Sequence, residues 1–495
     1  MNGNFKYTSI LKKNIDIYIF IICNNLKKNI DHISKLLKLD KLPKKLFDEE
    51  QSKEISNKSI KLKSNFEKKL YTDKFEVLFI GIGGEHNCDN QYLYETFGKI
   101  GKRMYNEKKN ILINLVNNTE NIIKNQIISY ILGFYQFNDF KTDKKKNNFK
   151  TYFYSDKKKL KKCCEESIYE AIIQNELRSL INTPANILTS TEYSTYIKNN
   201  IDNNIKIKIL NKSQLKKLGC NLILGVNQGS KNKPMMIILE YGKQNKSKNN
   251  TIALIGKGVM FDSGGYNIKL GNFSDMKTDM TGSAIVYGIF KLLSEFKIDG
   301  HFIGLLPLVE NMVDAESTRP GDILKAYNGK TVEIVDTDAE GRLIMADALA
   351  YSKNYNPKIC IDIATLTGQA SQIFDSKSTV IMGNSNKYIQ KMIHSGSENN
   401  EKIWELPMWK EYIDLTKSNI ADLKNYTYEA KAGTIMAGAF LSNFIPEKTD
   451  WIHLDIAGVD YLKHDTNMRH YGASGEIMRS LLDFLKNINK ESYEK

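Results

Sequence analysis

Residues 335–343, VDTDAEGRL, bring Asp338, Glu340 and Arg342 together at the point where a strand gives way to a helix. On one side, residues 331–335 (TVEIV) are β-branched and read as a strand; on the other, Leu343, Met345, Ala346, Leu349 and Ala350 recur at helical spacing. That strand-to-helix order indicates an α/β fold, in which ligands gather beyond the carboxyl ends of strands. An Asp-x-Glu pair alone is more often a solvated charge at a helix start, but with a guanidinium beside it the place becomes a candidate site.

A second cluster strengthens it. Residues 255–280, IGKGVMFDSGGYNIKLGNFSDMKTDM, follow an apolar strand at 251–255 and contribute Lys257, Asp262, Lys269 and Asp279. Val259, Met260, Phe261 and Met280 flank these carboxylates, so they are partly buried, and buried like charges repel unless a cation neutralises them. Two divalent metal ions would do so, and a carboxylate-bridged pair activates water and polarises a substrate oxygen in hydrolysis. Neither cluster contains a histidine, which favours oxygen ligands over a single zinc held by imidazoles.

Together these segments resemble the leucyl (cytosol) aminopeptidases, two-metal exopeptidases with an NTDAEGRL signature; Asp336 stands where the family has Asn. The resemblance includes 256–265 (GKGVMFDSGG), 276–280 (MKTDM), 319–322 (RPGD), 362–368 (DIATLTG), 437–441 (AGAFL) and 453–459 (HLDIAGV). With 182–186 (NTPAN) and 225–230 (GVNQGS) it covers about residues 130 to 485, in order.

The resemblance implies two adjacent metal sites. Lys257, Asp262, Asp279 and Glu340 would hold the tighter ion; Asp262, Glu340 and Asp338, through side chain and backbone carbonyl, would hold an exchangeable one. Zn2+ is the expected metal, with Mn2+, Mg2+ or Co2+ as alternatives in the exchangeable site. Lys257 must be neutral to ligate, so neighbouring cations would have to lower its pKa. Lys269 would stay protonated and stabilise the oxyanion, while Arg342 would hold bicarbonate as general base, since the two clusters contain no His and no Glu besides Glu340. The N-terminal side chain of a peptide substrate, Leu or another hydrophobic residue, would enter a pocket of Met276, Thr365, Leu366, Gly368, Ala437 and Phe440. Three further departures stand out: Leu270 replaces the usual Pro, the run to Asp279 is one residue short, and 313–318 (VDAEST) replaces a Pro- and small-residue-rich stretch.

A chain of 495 residues with 41% hydrophobic content suits two domains. The expected organisation is a smaller, Lys-rich N-terminal α/β domain at 1–165 and a larger α/β catalytic domain at 166–495, its central mixed sheet flanked by helices. Candidate strands of the first lie at 15–22, 76–82 and 110–115, with helices near 90–104 and 120–130; a helix through 166–180 links the domains. Residues 1–170 hold 33 basic and 21 acidic residues against 38 and 36 beyond, so most of the net charge of +14 belongs to the front third. Lysine runs at 141–150 and 157–162 read as surface loops. They lack the interleaved Arg and aromatic residues of a nucleic-acid reader, and lysine and asparagine are frequent throughout, so nucleic acid is not expected as a partner.

Cysteines at 23, 88, 163, 164, 220 and 360 show neither paired metal spacing nor a disulfide framework, which suits the cytoplasm. The apolar residues 17–23 are too few and too close to Asp16 for a signal peptide and read as a buried first strand; nothing approaches a membrane-spanning length. Members of the family form homohexamers, which is the assembly expected here. Two other readings use the same residues: a two-metal hydrolase of another group such as a phosphoester, and a catalytically weak scaffold or nucleic-acid-binding relative. The complete ATLTG and AGAFL segments favour peptides.

Overall fold

The computed structural model describes residues 4–10, 14–22, 37, 66–71, 74–82, 90–107, 109–116, 119–143, 149–244 and 250–493. The chain divides into two compact units, Met1–Asn175 with His464–His470, and Glu176–Lys463 with Tyr471–Lys495. The division falls after residue 175 and not after 165, because the helix Lys161–Asn182 buries Cys164, Ile168, Ala171 and Ile172 in the first unit's core before continuing into the second.

In the first unit a six-stranded sheet runs Phe5–Thr8, Thr151–Tyr154, Ile111–Asn114, Ile17–Ile22, Glu76–Gly81, Phe66–Tyr71, parallel except at the last strand. Ile17–Ile22 is apolar throughout because Ile17, Ile19 and Ile21 face one core while Tyr18, Phe20 and Ile22 face another. It is buried, but it is the second strand, since Phe5–Thr8 precedes it. Helices Asn90–Met104 and Glu120–Gly133 cover one face and touch backbone to backbone: a Cβ on Gly101 would stand 2.0 Å from the Tyr130 carbonyl oxygen. The lysines at 157–162 form not a loop but the 3-10 turn Lys158–Leu160 and the start of Lys161–Asn182. There Lys161–Glu165 (3.8 Å) and Lys162–Glu166 (3.7 Å) pair one helical turn apart. Residues 144–148 of the other lysine run, Cys23 and Cys88 lie outside the described residues; the four remaining cysteines are free thiols.

The second unit is built on a nine-stranded mixed sheet. Its order is Ile403–Glu405, Thr379–Gly383, Asp450–Asp455, Ile359–Ala364, Thr251–Gly256, His301–Asn311, Met235–Gly242, Lys206–Leu210, with Gly258–Asp262 paired onto His301–Asn311. The four strands from Asp450–Asp455 to His301–Asn311 are parallel and antiparallel neighbours flank them. Helix Gly341–Tyr351 packs Leu343, Met345 and Ala346 into the core shared with Ala253, Ile255 and Cys360. Helix Thr281–Glu295 takes the opposite face, where the missing side chain of Gly304 admits Val286 and Phe290. The parallel order sets the carboxyl ends of three strands side by side, so Lys257, Thr365 and the turn after Asp455 emerge at one edge.

The strand expected at 331–335 shortens to Thr331–Glu333 and belongs to a separate three-stranded sheet with Ile323–Lys325 and Leu423–Lys424. Its ladder stops because the Asn425 side-chain oxygen accepts the N–H groups of Val335 (2.8 Å) and Asp336 (3.3 Å). The acidic loop thus comes from this side sheet, not from a central strand. Among the described residues no helix is long and apolar enough to cross a membrane.

Candidate active site

Lys257 follows the strand Thr251–Gly256 directly; its N–H donates to the Ile363 carbonyl (3.0 Å) and its own carbonyl accepts from Ser283 (2.8 Å). So fixed, its ammonium reaches Asp279 Oδ1 (2.7 Å), Glu340 Oε1 (3.0 Å) and the Thr365 carbonyl (2.8 Å). Gly341 makes room for it, since a Cβ there would stand 2.3 Å from Lys257 Cε. Asp262 closes the strand Gly258–Asp262, and its Oδ1 accepts from Gly264 N–H (2.9 Å) and Asn311 Nδ2 (2.8 Å). Oδ2 is left facing Lys269 at 2.7 Å, and the same ammonium meets Asp338 Oδ1 at 2.5 Å. The departure after Lys269 does not remove it from the cluster: Leu270 turns into solvent, 92% exposed.

Asn425 holds the loop that carries Asp338, Glu340 and Arg342. Its Nδ2 donates to the Asp336 carbonyl (2.6 Å), and its own carbonyl accepts from Arg342 Nη1 (2.8 Å). Asp336 Oδ1 accepts the Asp338 N–H (2.8 Å), closing the turn. The Arg342 guanidinium is buried and lies 5.9 Å from the Tyr426 ring centre.

Four carboxylates therefore face two ammonium groups. Burial, then the charge of Glu340, raises the Asp262 pKa, and burial holds that of Asp279 well above the ordinary range. Burial, reinforced by Asp262 and Glu340, pushes Asp338 up to about 7. Glu340 goes the other way, its burial outweighed by Lys257 and Lys269. Burial opposes the charge on both lysines, yet the carboxylates around them hold their pKa values above the ordinary one. Burial lowers the pKa of Arg342.

The cage suits a divalent cation. Asp262, Asp338 and Glu340 each place one oxygen within 4.8 Å of the others, and the buried Asp279 Oδ2 and Glu340 Oε2 have no hydrogen-bond partner. Oxygen donors with no histidine match hard and borderline ions. Above the cage opens a cavity of about 440 Å³ onto which Lys257, Asp262, Lys269, Asp279, Asp338, Glu340 and Arg342 all face.

Met276, Thr365, Leu366 and Gly368 line this cavity. Ala437 and Phe440 do not: helix Gly433–Ser442 is apolar on every side and buries both, Phe440 in the hydrophobic core of the unit. Ala457, Gly458 and Asp460, from the turn after Asp450–Asp455, line it as well. Asn311 and Asn425 carry no signal in the sequence, because asparagine is too common in this chain for either to stand out.

Residues 175–482 match the sequence model of the cytosol aminopeptidase family catalytic domain. The chain belongs to the cytosol aminopeptidase family. It is 33% identical over 468 residues to the protein named Probable cytosol aminopeptidase of Phytoplasma australiense, spanning 91% of each chain. With the protein of that name from Buchnera aphidicola subsp. Baizongia pistaciae (strain Bp), identity is 35% over 515 positions, spanning 96% of this chain and 97% of that one. In shape it is similar to the bottromycin maturation enzyme BotP, with a TM-score of 0.80 at 21% identity over 96% of this chain and all 100% of the other. BotP in complex with Mn gives a TM-score of 0.80 at 22% identity, over 96% and 99%. At such identities the likeness is one of fold. Where the cytosol aminopeptidase family signature has Asn, Asp336 keeps the acceptor role, since a carboxylate oxygen serves the Asp338 N–H as an amide oxygen would.

Proposed function

We propose that this member of the cytosol aminopeptidase family is a metal-dependent aminopeptidase that removes the N-terminal residue of peptides. The observation that carries this is the cage beneath the open cavity: three carboxylates converge within 4.8 Å, beside buried oxygens of Asp279 and Glu340 that have no partner. Lys257, Asp262, Asp279 and Glu340 would hold one divalent ion, and Asp262, Asp338 and Glu340 a second; Zn2+ is proposed, with Mn2+, Mg2+ or Co2+ as alternatives in the second site. When bound, such a pair supplies a polarised substrate oxygen and a water of lowered pKa.

The chain's own residues divide the remaining work. Lys257 can ligate only as the free amine; its ammonium is held by Asp279 and Glu340, and a cation on those oxygens removes the attraction that keeps its pKa up. Lys269 keeps its proton, held by Asp262, Glu340 and Asp338, and faces the cavity where a carbonyl oxygen would gain charge. Arg342 is buried with its Nε unpartnered, which suits it to hold an anion. Bicarbonate held there is the proposed general base, as no histidine lines the cavity among the described residues.

The test is amino-acid release from a panel of aminoacyl amides, leucyl amide included, after chelation and readdition of Zn2+, Mn2+, Mg2+ or Co2+. Metal-restored release is expected; a protein that binds metal and releases nothing contradicts the proposal. A cytoplasmic homohexamer is proposed for its setting. Light scattering at near-physiological salt, with and without a DNA duplex, should show a hexamer that ignores the duplex. An active monomer, or a salt-resistant complex, would contradict this.

A further inference from the structure

The wall contributed by the turn after Asp450–Asp455 is not apolar. Asp460 is 7% exposed and faces the cavity, with its Oδ2 accepting from Thr278 Oγ1 at 2.9 Å. That bond ties it to the 3-10 turn Met276–Thr278, which presents Met276 to the cavity and leads directly into Asp279 of the cage. Asp460 therefore shares the cavity with Met276, a residue expected to receive the substrate's N-terminal side chain.

What this carboxyl lacks is a cation. Burial pushes its pKa up to about 7; the Thr278 hydroxyl and a backbone N–H act to lower it, whereas Asp275 and Asp455 add negative charge. Among the described residues no lysine or arginine forms an ion pair with it. Lys463 also borders the cavity, but its side chain is in solvent, where its field is screened. Met276 and Leu366 offer apolar surface to a side-chain stem, and Gly368 leaves the entrance open, with nothing within 4 Å of a Cβ built there. Apolar surface and a carboxylate on the same cavity match an aliphatic chain that ends in a positive charge.

We propose that Asp460 is a specificity-determining residue that makes the enzyme select peptides with an N-terminal Lys or Arg over those with an N-terminal Leu. This rests on the aminopeptidase reading and narrows it. An ammonium or guanidinium entering the pocket would meet a buried carboxyl held by the Thr278 hydroxyl and not by a cation, whereas Leu would offer it neither charge nor donor, the kind of mismatch that separates substrates strongly.

The experiment compares kcat/KM for lysyl, arginyl and leucyl amides of one fluorogenic amine, using wild type, Asp460→Asn and Asp460→Met with the same added metal. Wild type is expected to prefer the lysyl and arginyl amides. Both variants should lower the Lys:Leu ratio at least tenfold, mainly through KM for the basic substrates, a change that general loss of fold would not produce. Asp460→Asn keeps an acceptor for Thr278, and the wild-type ratio is informative by itself. Brisk leucyl hydrolysis with a Lys:Leu ratio well below one, unmoved by either variant, would overturn the assignment and leave the aminopeptidase reading standing. Release from none of the amides with any metal would overturn both.

Discussion

Replacing Asp338 with Asn should stabilise the metal-free protein while impairing its metal site. Burial, with the charges of Asp262 and Glu340, moves this carboxyl from 3.8 to about 7, a value that already includes the attraction of Lys269. Folding thus raises the pKa. Stability that comes from the protonated carboxyl is fully present below about pH 4, is lost as pH climbs toward 7, and is gone above it. A shift of that size corresponds to roughly 4 kcal/mol. The side chain is 33% exposed. Solvent screening therefore reduces the effect to about 2 kcal/mol. An amide of the same shape carries no charge and escapes the penalty. Chelated wild type and Asp338→Asn would be unfolded in urea at pH 8 and pH 5. The variant should be more stable by about 2 kcal/mol at pH 8, by less at pH 5, and should gain less than wild type when metal is returned. A metal-free variant less stable than wild type at pH 8 would refute the idea that the cage is short of positive charge.

The two lysines should separate. Lys257→Ala should lose metal, whereas Lys269→Ala should retain it and lose roughly a hundredfold in kcat, the scale of one oxyanion donor; equal metal loss in both would contradict the division. Arg342→Ala should lower kcat by at least roughly tenfold and abolish any stimulation by added bicarbonate, which rate measurements in bicarbonate-depleted buffer would show. Asp347, fully buried, accepts the N–H groups of Leu222 (2.9 Å), Ile223 (3.1 Å) and Tyr327 (2.8 Å). Asp347→Ala leaves three donors unsatisfied and should cost about 3 kcal/mol in urea unfolding; a loss below about 1 kcal/mol would show that water replaces the carboxylate.

The convergence of Asp262, Asp338 and Glu340 was legible because these residues sit in two short segments, each with a distinct spacing, and because buried carboxylates require compensation wherever they lie. Ile17–Ile22 was legible for a similar reason: a strand covered on both faces must be apolar at every position. What escaped depends on long-range placement. The strand before the acidic loop was cut short by Asn425, 89 residues from Asp336 in sequence, a hydrogen bond that no local pattern announces. Ala437 and Phe440 are pocket residues only by the family resemblance; their helix is largely buried, so periodicity has nothing to say about which side meets the cavity. Asp460 carries no motif at all. Only the fold, by placing the turn after Asp450–Asp455 beside Met276–Thr278, brings its carboxyl to the cavity.

The most direct test measures metal content and turnover together in wild type and Glu340→Gln, each chelated and then reconstituted with Zn2+ alone or with Mn2+. Glu340, like Asp262, is assigned to both ions, and it already meets Lys257 at 3.0 Å with its other oxygen unpartnered. Wild type should take up two ions per chain and release amino acid from aminoacyl amides, while Glu340→Gln should bind fewer ions and lose turnover. A Glu340→Gln protein that folds, binds two ions and works at the wild-type rate would contradict the two-metal site.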